Sequence, residues 1–229
     1  RSIFRSNNIR TGKVTALLSE SASLGKVSAA IKDAIGDMEF PPKYTAAITG
    51  EEAKRAEAFK GLNFALILSL VFVYMVMASQ FESLRHPFTI MLSIPLAGAG
   101  TVAAFMIFSY NLNIMAFIGI IMLTGIAVNN AILLVDAINK EKSGAASVKE
   151  AVIRAAQRRI RPILMTTATT VMALLPMCIS AGEGAALRSS MAIAVIGGLI
   201  SATLLTLVVI PALYCVFEPE RHRETPDKI

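Results

Sequence analysis

Residues 114–138 read IMAFIGIIMLTGIAVNNAILLVDAI, a stretch whose one ionisable side chain, Asp136, lies near its end. A hydrocarbon core about 30 Å thick takes about 20 mostly apolar residues per helix, so the stretch fits a membrane span. Four more windows have the same character: Leu62 to Ala78, Pro87 to Phe108, Ile163 to Ser180 and Met191 to Phe217. The whole composition agrees, with 55% hydrophobic and 17% charged residues and a mean hydropathy of +0.62. Soluble domains have about 45–50% apolar and about a quarter charged residues, so a soluble globular domain is excluded. The fold class expected is a mainly α, polytopic membrane protein with five transmembrane helices.

Charged or loop-forming stretches separate the windows: FESLRH, SYNLN, the basic run that begins NKEKSG, and AGEGAALRS. Pro87 and Pro162 are expected in the first turns of their helices, where a missing N–H costs nothing. Pro95, Pro176 and Pro211 fall within or near the ends of spans and are expected to mark kinks.

Lys and Arg near span ends set orientation. The connection after the third span holds Lys140, Lys142, Lys149, Arg154, Arg158, Arg159 and Arg161, whereas SYNLN carries no charge and AGEGAALRS only Glu183 and Arg188. That connection therefore reads as cytoplasmic. Counting outward puts Arg85, His86 and the tail 218–229, with Arg221 and Arg223, inside, and the residues before Gly61 outside. The net charge of +6 thus reads as topology. No motif or aromatic interleaving accompanies it, so a nucleic-acid partner is not expected.

Residues 1–60 differ in kind. Val14 to Leu18 is β-prone, Leu24, Val27, Ile31 and Ile35 recur at helical spacing, Pro41-Pro42 breaks the chain, and Tyr44 to Ile48 is β-prone again. The reading is one β-α-β unit, a partial α+β subdomain too short to enclose its own core. EEAKRAEAFK places Glu51 four residues before Arg55 and is expected to enter the first span as one continuous helix. The opening RSIFRSNN has neither an initiating Met nor a signal-peptide order, so the chain is expected to be a piece of a longer protein.

A polar side chain at membrane depth is by default a functional hypothesis. The centres of the five windows hold no Asp, Glu, Lys, Arg or His; what remains is Asn129 and Asn130 in the third span and Thr166, Thr167, Thr169 and Thr170 in the fourth. Two readings of the Asn pair stay open. One is interhelical glue, worth roughly 0.6 kcal/mol on average. The other is a hydrogen-bonding wall for an ion or proton path; adjacent amides point about 100° apart on a helix, so the two do not serve one partner helix. A Thr in a membrane helix usually bonds back to its own carbonyls. Ala97, Gly98, Gly100, Ala104, Gly197 and Gly198 read as close-packing positions. Enzyme readings find no support: HExxH, GxSxG and GxxxxGK[ST] are absent. Cys178 and Cys215 lie in apolar runs as small core residues, the eleven Met residues are dispersed gap-fillers, and neither a metal nor a cofactor is expected.

In order and spacing, PFTIMLSIPLAGAG, LNIMAFIGIIMLTGIAVNNAILLVDAIN, RRIRPILMTTATTVMALLPM and MAIAVIGGLISATLLTLVVIPALYCVF resemble the last five helices of a resistance-nodulation-division (RND) transporter. The branch resembled is the hydrophobe/amphiphile, or acriflavine-resistance, efflux pumps. The preceding unit, with its PP and its TG, resembles the end of the last porter subdomain. The resemblance implies 1–60 as a partial periplasmic porter subdomain, 61–217 as the transmembrane domain and 218–229 as a cytoplasmic tail, in a multi-pass protein of the cell inner membrane. It implies proton-driven export of amphiphilic compounds and no enzymatic reaction. The partners implied are the N-terminal half of the same transporter, two further copies in a homotrimer, membrane lipid, and, in Gram-negative cells, a periplasmic adaptor and an outer-membrane channel. The family's proton-carrying aspartates sit on a helix outside this chain. Of the relay residues, the lysine that faces them falls on Asn129, the next asparagine on Asn130, the threonine after RPILM on Thr166, and the arginine two before the RP pair on Arg159. Asn129 departs from the pattern, because it cannot carry the lysine's charge.

Two functions remain at this point: part of a proton-coupled efflux transporter, or a non-transporting membrane domain of related fold, sterol-sensing-like or translocation-accessory, in which the Asn pair is structural. The orientation is testable with single cysteines at Gly144 and Gly184 and a membrane-impermeant thiol reagent. Position 184 should react in intact cells and position 144 only after permeabilisation; reaction at 144 in intact cells would reverse the topology.

Overall fold

The computed structural model describes residues 4–6, 9–17, 24–142, 144, 147–180, 182 and 184–217. Leu18, Glu183 and the tail 218–229 lie outside them. The chain divides into two units, Arg1–Phe59 and Lys60–Ile229.

In the first unit, β1 (Phe4–Ser6) and β2 (Ile9–Thr11) form an antiparallel pair in which Phe4 faces Thr11 and Ser6 faces Ile9. Helix α1 (Leu24–Gly36) carries the 24/27/31/35 periodicity. Among the described residues the strands expected at 14–18 and 44–48 do not form: residues 12–17 and 44–49 are irregular. A strand needs a neighbour to pair its N–H and C=O groups, and β-propensity alone supplies none.

Helix α2 (Glu51–Phe81) begins in the first unit and ends in the second without interruption, as EEAKRAEAFK suggested. Arg55 pairs with Glu52, through Nε to Oε2 at 2.7 Å and Nη2 to Oε1 at 2.8 Å, rather than with Glu51. Within the second unit, the end of α2 reaches the core through buried Met77, flanked by Val73 and Phe81. Phe64, Ile67, Val71, Phe72, Met75 and Val76 are exposed. An apolar surface of that extent on a long helix is what lipid or further protein would cover.

The second window is two helices end to end, α3 (Arg85–Met91) and α4 (Ser93–Phe108), meeting at Leu92. Pro95 explains the break: it cannot donate to the Met91 carbonyl, so the ladder is interrupted there. Helix α5 (Ile114–Lys142) follows a left-handed Ser109 and is capped by Asn113, whose Oδ1 accepts from the Ala116 N–H at 2.7 Å. Helix α6 (Val148–Ile179) starts about four turns earlier than the apolar window. Its N-cap is Ser147, whose hydroxyl accepts from the Glu150 N–H at 3.2 Å. Pro162 is consequently inside α6, not in its first turn, because the amphipathic segment before it continues the helix. Pro176 lies inside α6 and Pro211 inside α7 (Ala185–Phe217). Five spans result, with α3 and α4 together making one.

Helix α7 packs on α4, α5 and α6. Along α4 the contact is backbone to backbone: a Cβ at Gly100 would run into the Ser201 side chain and lie 2.6 Å from the Gly197 carbonyl oxygen, and one at Gly198 would lie 2.6 Å from Thr101 Oγ1. Across this seam Thr101 Oγ1 donates to the Ala194 carbonyl at 3.0 Å and Ser201 Oγ to the Leu96 carbonyl at 3.1 Å. Gly98, read as a packing position, faces open space. Cys178 and Cys215 are free, half-buried thiols.

Gly100→Leu should therefore separate α4 from α7, at about 1–3 kcal/mol or more. Gly98→Ala should be neutral or stabilising by up to about 1 kcal/mol, since it fills no occupied space and favours helix. Thermal unfolding of the two variants in detergent checks both; equal losses would refute the seam.

Candidate functional site

Helix periodicity and the α7 contact together send the two asparagines apart. On α5 the positions turned to α7 are buried, and Asn130 is among them at 5% exposure. Asn129 is exposed, in line with Met115, Ile118, Met122, Gly125 and Leu133, a stripe at spacings of three and four that stays exposed among the described residues.

Asn113 meets Ser190, Leu123 approaches Gly198, and Asn139 accepts from the Tyr214 hydroxyl at 2.6 Å, so α5 and α7 run parallel. Continuing that register places Thr206 level with Asn130. Helix α6 runs antiparallel to both, as the Arg158–Glu141 ion pair and the Thr167–Thr203 hydroxyl pair at 2.8 Å require. The same register puts Thr166 within about a turn of the Asn pair's level. On α4, Ser93 lies level with this group, by extension from the Leu96–Ser201 contact. A layer of polar side chains thus crosses the packed helices: Ser93, Asn130, Thr167, Thr203 and Thr206, all buried. The hydroxyls of Ser93 and Thr206 have no hydrogen-bond partner in this layer.

The four relay candidates are not gathered at one point. Asn129 and Thr166 are both on exposed surface near one level; the Thr166 hydroxyl donates to its own helix, to the Ile163 carbonyl at 2.9 Å. Thr169 and Thr170 bond back in the same way. Arg159 is seven residues from Thr166, about 10 Å along α6. It lines a cavity of about 290 Å³ with Ala137, Lys140, Glu141, Ala155 and Arg158, well beyond the Asn pair. Sequence reasoning missed Ser93, Thr203 and Thr206. Thr203 had a findable signal, a hydroxyl on the third span's neighbour able to meet Thr167, but only the register identifies the pair.

The described residues hold no group of three His, Cys, Asp or Glu side chains able to bind a metal ion. What the site offers is hydrogen bonding at membrane depth, with the ion pairs of α5 and α6 gathered at the end that holds Lys140 and Arg159.

This architecture, five apolar helices with a polar layer across their packed faces, defines a polytopic membrane protein. The model of the AcrB/AcrD/AcrF family matches residues 1–218. Multidrug resistance protein MdtC of Yersinia pseudotuberculosis serotype O:1b (strain IP 31758) is 35% identical over 207 residues, 90% of this chain and 20% of that protein. The protein of the same name from Yersinia pestis bv. Antiqua (strain Angola) is equally similar, at 35% over 207 residues. A crystal structure of a heavy metal efflux pump superposes with a TM-score of 0.76 at 32% identity, covering 86% of this chain and 20% of that one. A second crystal form gives 0.71 at 32% identity over 83% and 19%. The chain belongs to the AcrB/AcrD/AcrF family of RND efflux transporters, proteins of the inner membrane. It spans about a fifth of the length of the relatives it matches.

The Thr167–Thr203 pair gives a measurable coupling. Thr203→Val and Thr167→Val should each destabilise by about 0.5–1 kcal/mol, and the double variant by less than the sum. Unfolding titrations in mixed micelles check it; strict additivity would mean the two hydroxyls do not interact.

Proposed function

We propose that this chain is the C-terminal part of a proton-coupled efflux transporter that exports amphiphilic or hydrophobic compounds. The observation that carries the reading is the split of the Asn pair in a member of this family. Asn130 is built into the packed core, while Asn129 is presented on a stripe of α5 left open for a helix from elsewhere in the transporter. That is where a relay partner of the family's aspartates is needed. Asn129 offers a donor and an acceptor, so it orients a protonated or ionised carboxyl by hydrogen bonding and does not neutralise it. Thr166 stands near the same level with a hydroxyl able to exchange its own-helix bond for one across the gap. Arg159, nearer the basic end, keeps its own proton and acts by its fixed positive charge and its donors, orienting acceptors and water at the cytoplasmic end of the path.

The multidrug name of the 35% identical relative supports amphiphilic substrates. Resemblance to the family supports a homotrimer completed by the transporter's N-terminal half, a periplasmic adaptor and an outer-membrane channel. Residues 1–60 are then a piece of a periplasmic porter subdomain, in which 14–18 and 44–48 become strands when partner edges are present. The end with Lys140 to Arg161 faces the cytoplasm.

In cells expressing the full-length transporter, Asn129→Leu should abolish drug export at unchanged membrane abundance. Asn129→Lys should be tolerated, since an ammonium facing carboxylates is paired. An unpaired lysine costs about 2.5 kcal/mol or more, and poor insertion would follow. Normal resistance with Asn129→Leu at normal abundance would assign the pair a structural role instead, as in a non-transporting domain of this fold.

A further inference from the structure

Two hydroxyls on the packed side of the helices have no hydrogen-bond partner among the described residues: Ser93 Oγ on α4 and Thr206 Oγ1 on α7, in residues 0% and 1% exposed. Other buried hydroxyls of the unit are met by protein. Thr101 donates to the Ala194 carbonyl, Thr124 donates to the Ile120 carbonyl at 2.9 Å, and Thr167 pairs with Thr203. Ser93 opens α4 after the break at Leu92, so no preceding turn of its own helix receives its hydroxyl. Burial this complete within α4, α5 and α7 leaves no side from which a helix elsewhere in the transporter could reach either group.

Both hydroxyls stand at one turn of a three-helix junction. Ala97 of α4, Leu123 and Ala127 of α5, and Leu199 and Ala202 of α7 form one apolar cluster. Helix α4 runs antiparallel to α7, as the Thr101–Ala194 and Leu96–Ser201 bonds require, and α5 runs parallel to it. Ser93, Asn130 and Thr206 therefore lie about one turn beyond that cluster, all on the same side of it. A further turn on come Ile90, Leu134 and Ile210, each 0% exposed and members of a second apolar cluster. Two hydroxyls and one amide, which offers a donor and an acceptor, are thus enclosed between apolar layers. The Met91 carbonyl, deprived of its helix donor by Pro95, lies at the adjoining break.

We propose that one water molecule is bound between α4, α5 and α7, hydrogen-bonded to Ser93, Asn130 and Thr206. A buried water makes about three hydrogen bonds to groups that protein leaves unsatisfied, and these three side chains supply that number. A cation would use the same oxygens, but all three side chains are neutral, and an uncompensated charge between apolar layers is far more costly than a water. The water joins three helices at a turn where Ser93 and Thr206 do not bond to each other. It holds Asn130 on the packed side of α5 whatever Asn129 faces, so it does not depend on the proton path proposed above.

A cryo-EM map of the full-length transporter that resolves ordered water tests this directly. One peak should stand within hydrogen-bond distance of Ser93 Oγ, Thr206 Oγ1 and the Asn130 amide; no peak, or side chains closing the space between them, would overturn the proposal. Thermal unfolding of the transporter in detergent supplies a second readout. A buried hydroxyl without any partner is better replaced by an apolar group, so in a dry junction Ser93→Ala and Thr206→Val would each raise the thermal midpoint. With the water bound, each should lower it, and the double variant should lower it by less than the sum, because the first substitution already weakens the shared water. A rise in both single variants, or strict additivity, would overturn the proposal. Wild-type midpoints in sodium chloride and choline chloride should agree; stabilisation by sodium that Thr206→Val abolishes would overturn the water in favour of a cation.

Discussion

Where Gly100 of α4 meets Gly197 of α7, no side chain separates the two backbones. In a bilayer, apolar helices gain little by leaving lipid for one another, so association relies on van der Waals contact and on hydrogen bonds between helices. Both need close approach. The glycines bring Thr101 within reach of the Ala194 carbonyl and Ser201 within reach of the Leu96 carbonyl, and neither bond would form if the axes were spaced by larger side chains. Once α4 is fixed on one flank of α7, Gly198 leaves room for Leu123 and Gly119 lies against Met191, which fixes α5 on another. Helix α6 joins through Thr167 and Thr203.

The rotation of α5 about its own axis follows from those contacts. With Gly119, Leu123 and Ala127 turned to α7, Asn130 is carried inward and Asn129 outward, since successive residues differ by about 100°. Two identical side chains thus acquire different environments from one packing choice. Asn130 belongs to the transverse polar layer, where lost water must be replaced by protein partners. Asn129 belongs to a face that stays exposed among the described residues.

Much of this was legible in the sequence. The five spans follow from length and composition, and the divergence of the Asn pair follows from helix geometry alone. The close packing at Gly100 and Gly197 follows from residue size, although size could not separate them from Gly98, which faces open space. The failures have physical causes. Residues 148–161 are too charged for a membrane window yet helical, because Ser147 caps them and Arg154 and Glu150 pair one turn apart. Hydropathy therefore started α6 too late and misplaced Pro162. The strands expected at 14–18 and 44–48 were inferred from side chains, whereas a strand exists by virtue of its neighbour. Thr203 and Thr206 read as ordinary members of an apolar run, and only the register of three helices makes them part of a polar layer.

Charge obeys a simpler rule than the polar residues do. Neutral hydrogen-bonding groups are spread over the interior of the spans, but Asp136, Lys140, Glu141, Arg154, Arg158 and Arg159 are gathered at one end of α5 and α6. A full charge at the centre of a span costs about 2.5–3.5 kcal/mol, while an amide finds partners on a neighbouring helix at far lower cost. A chain that places Asn rather than Lys at 129 can thus insert its five helices with no buried ion awaiting a partner. If Asn129 faces a carboxyl, as the proposed function has it, that carboxyl gains a hydrogen bond and no countercharge. A neutral amide orients such a group without demanding its charge, whereas an ammonium at 129 would be a buried ion until an anion stood against it.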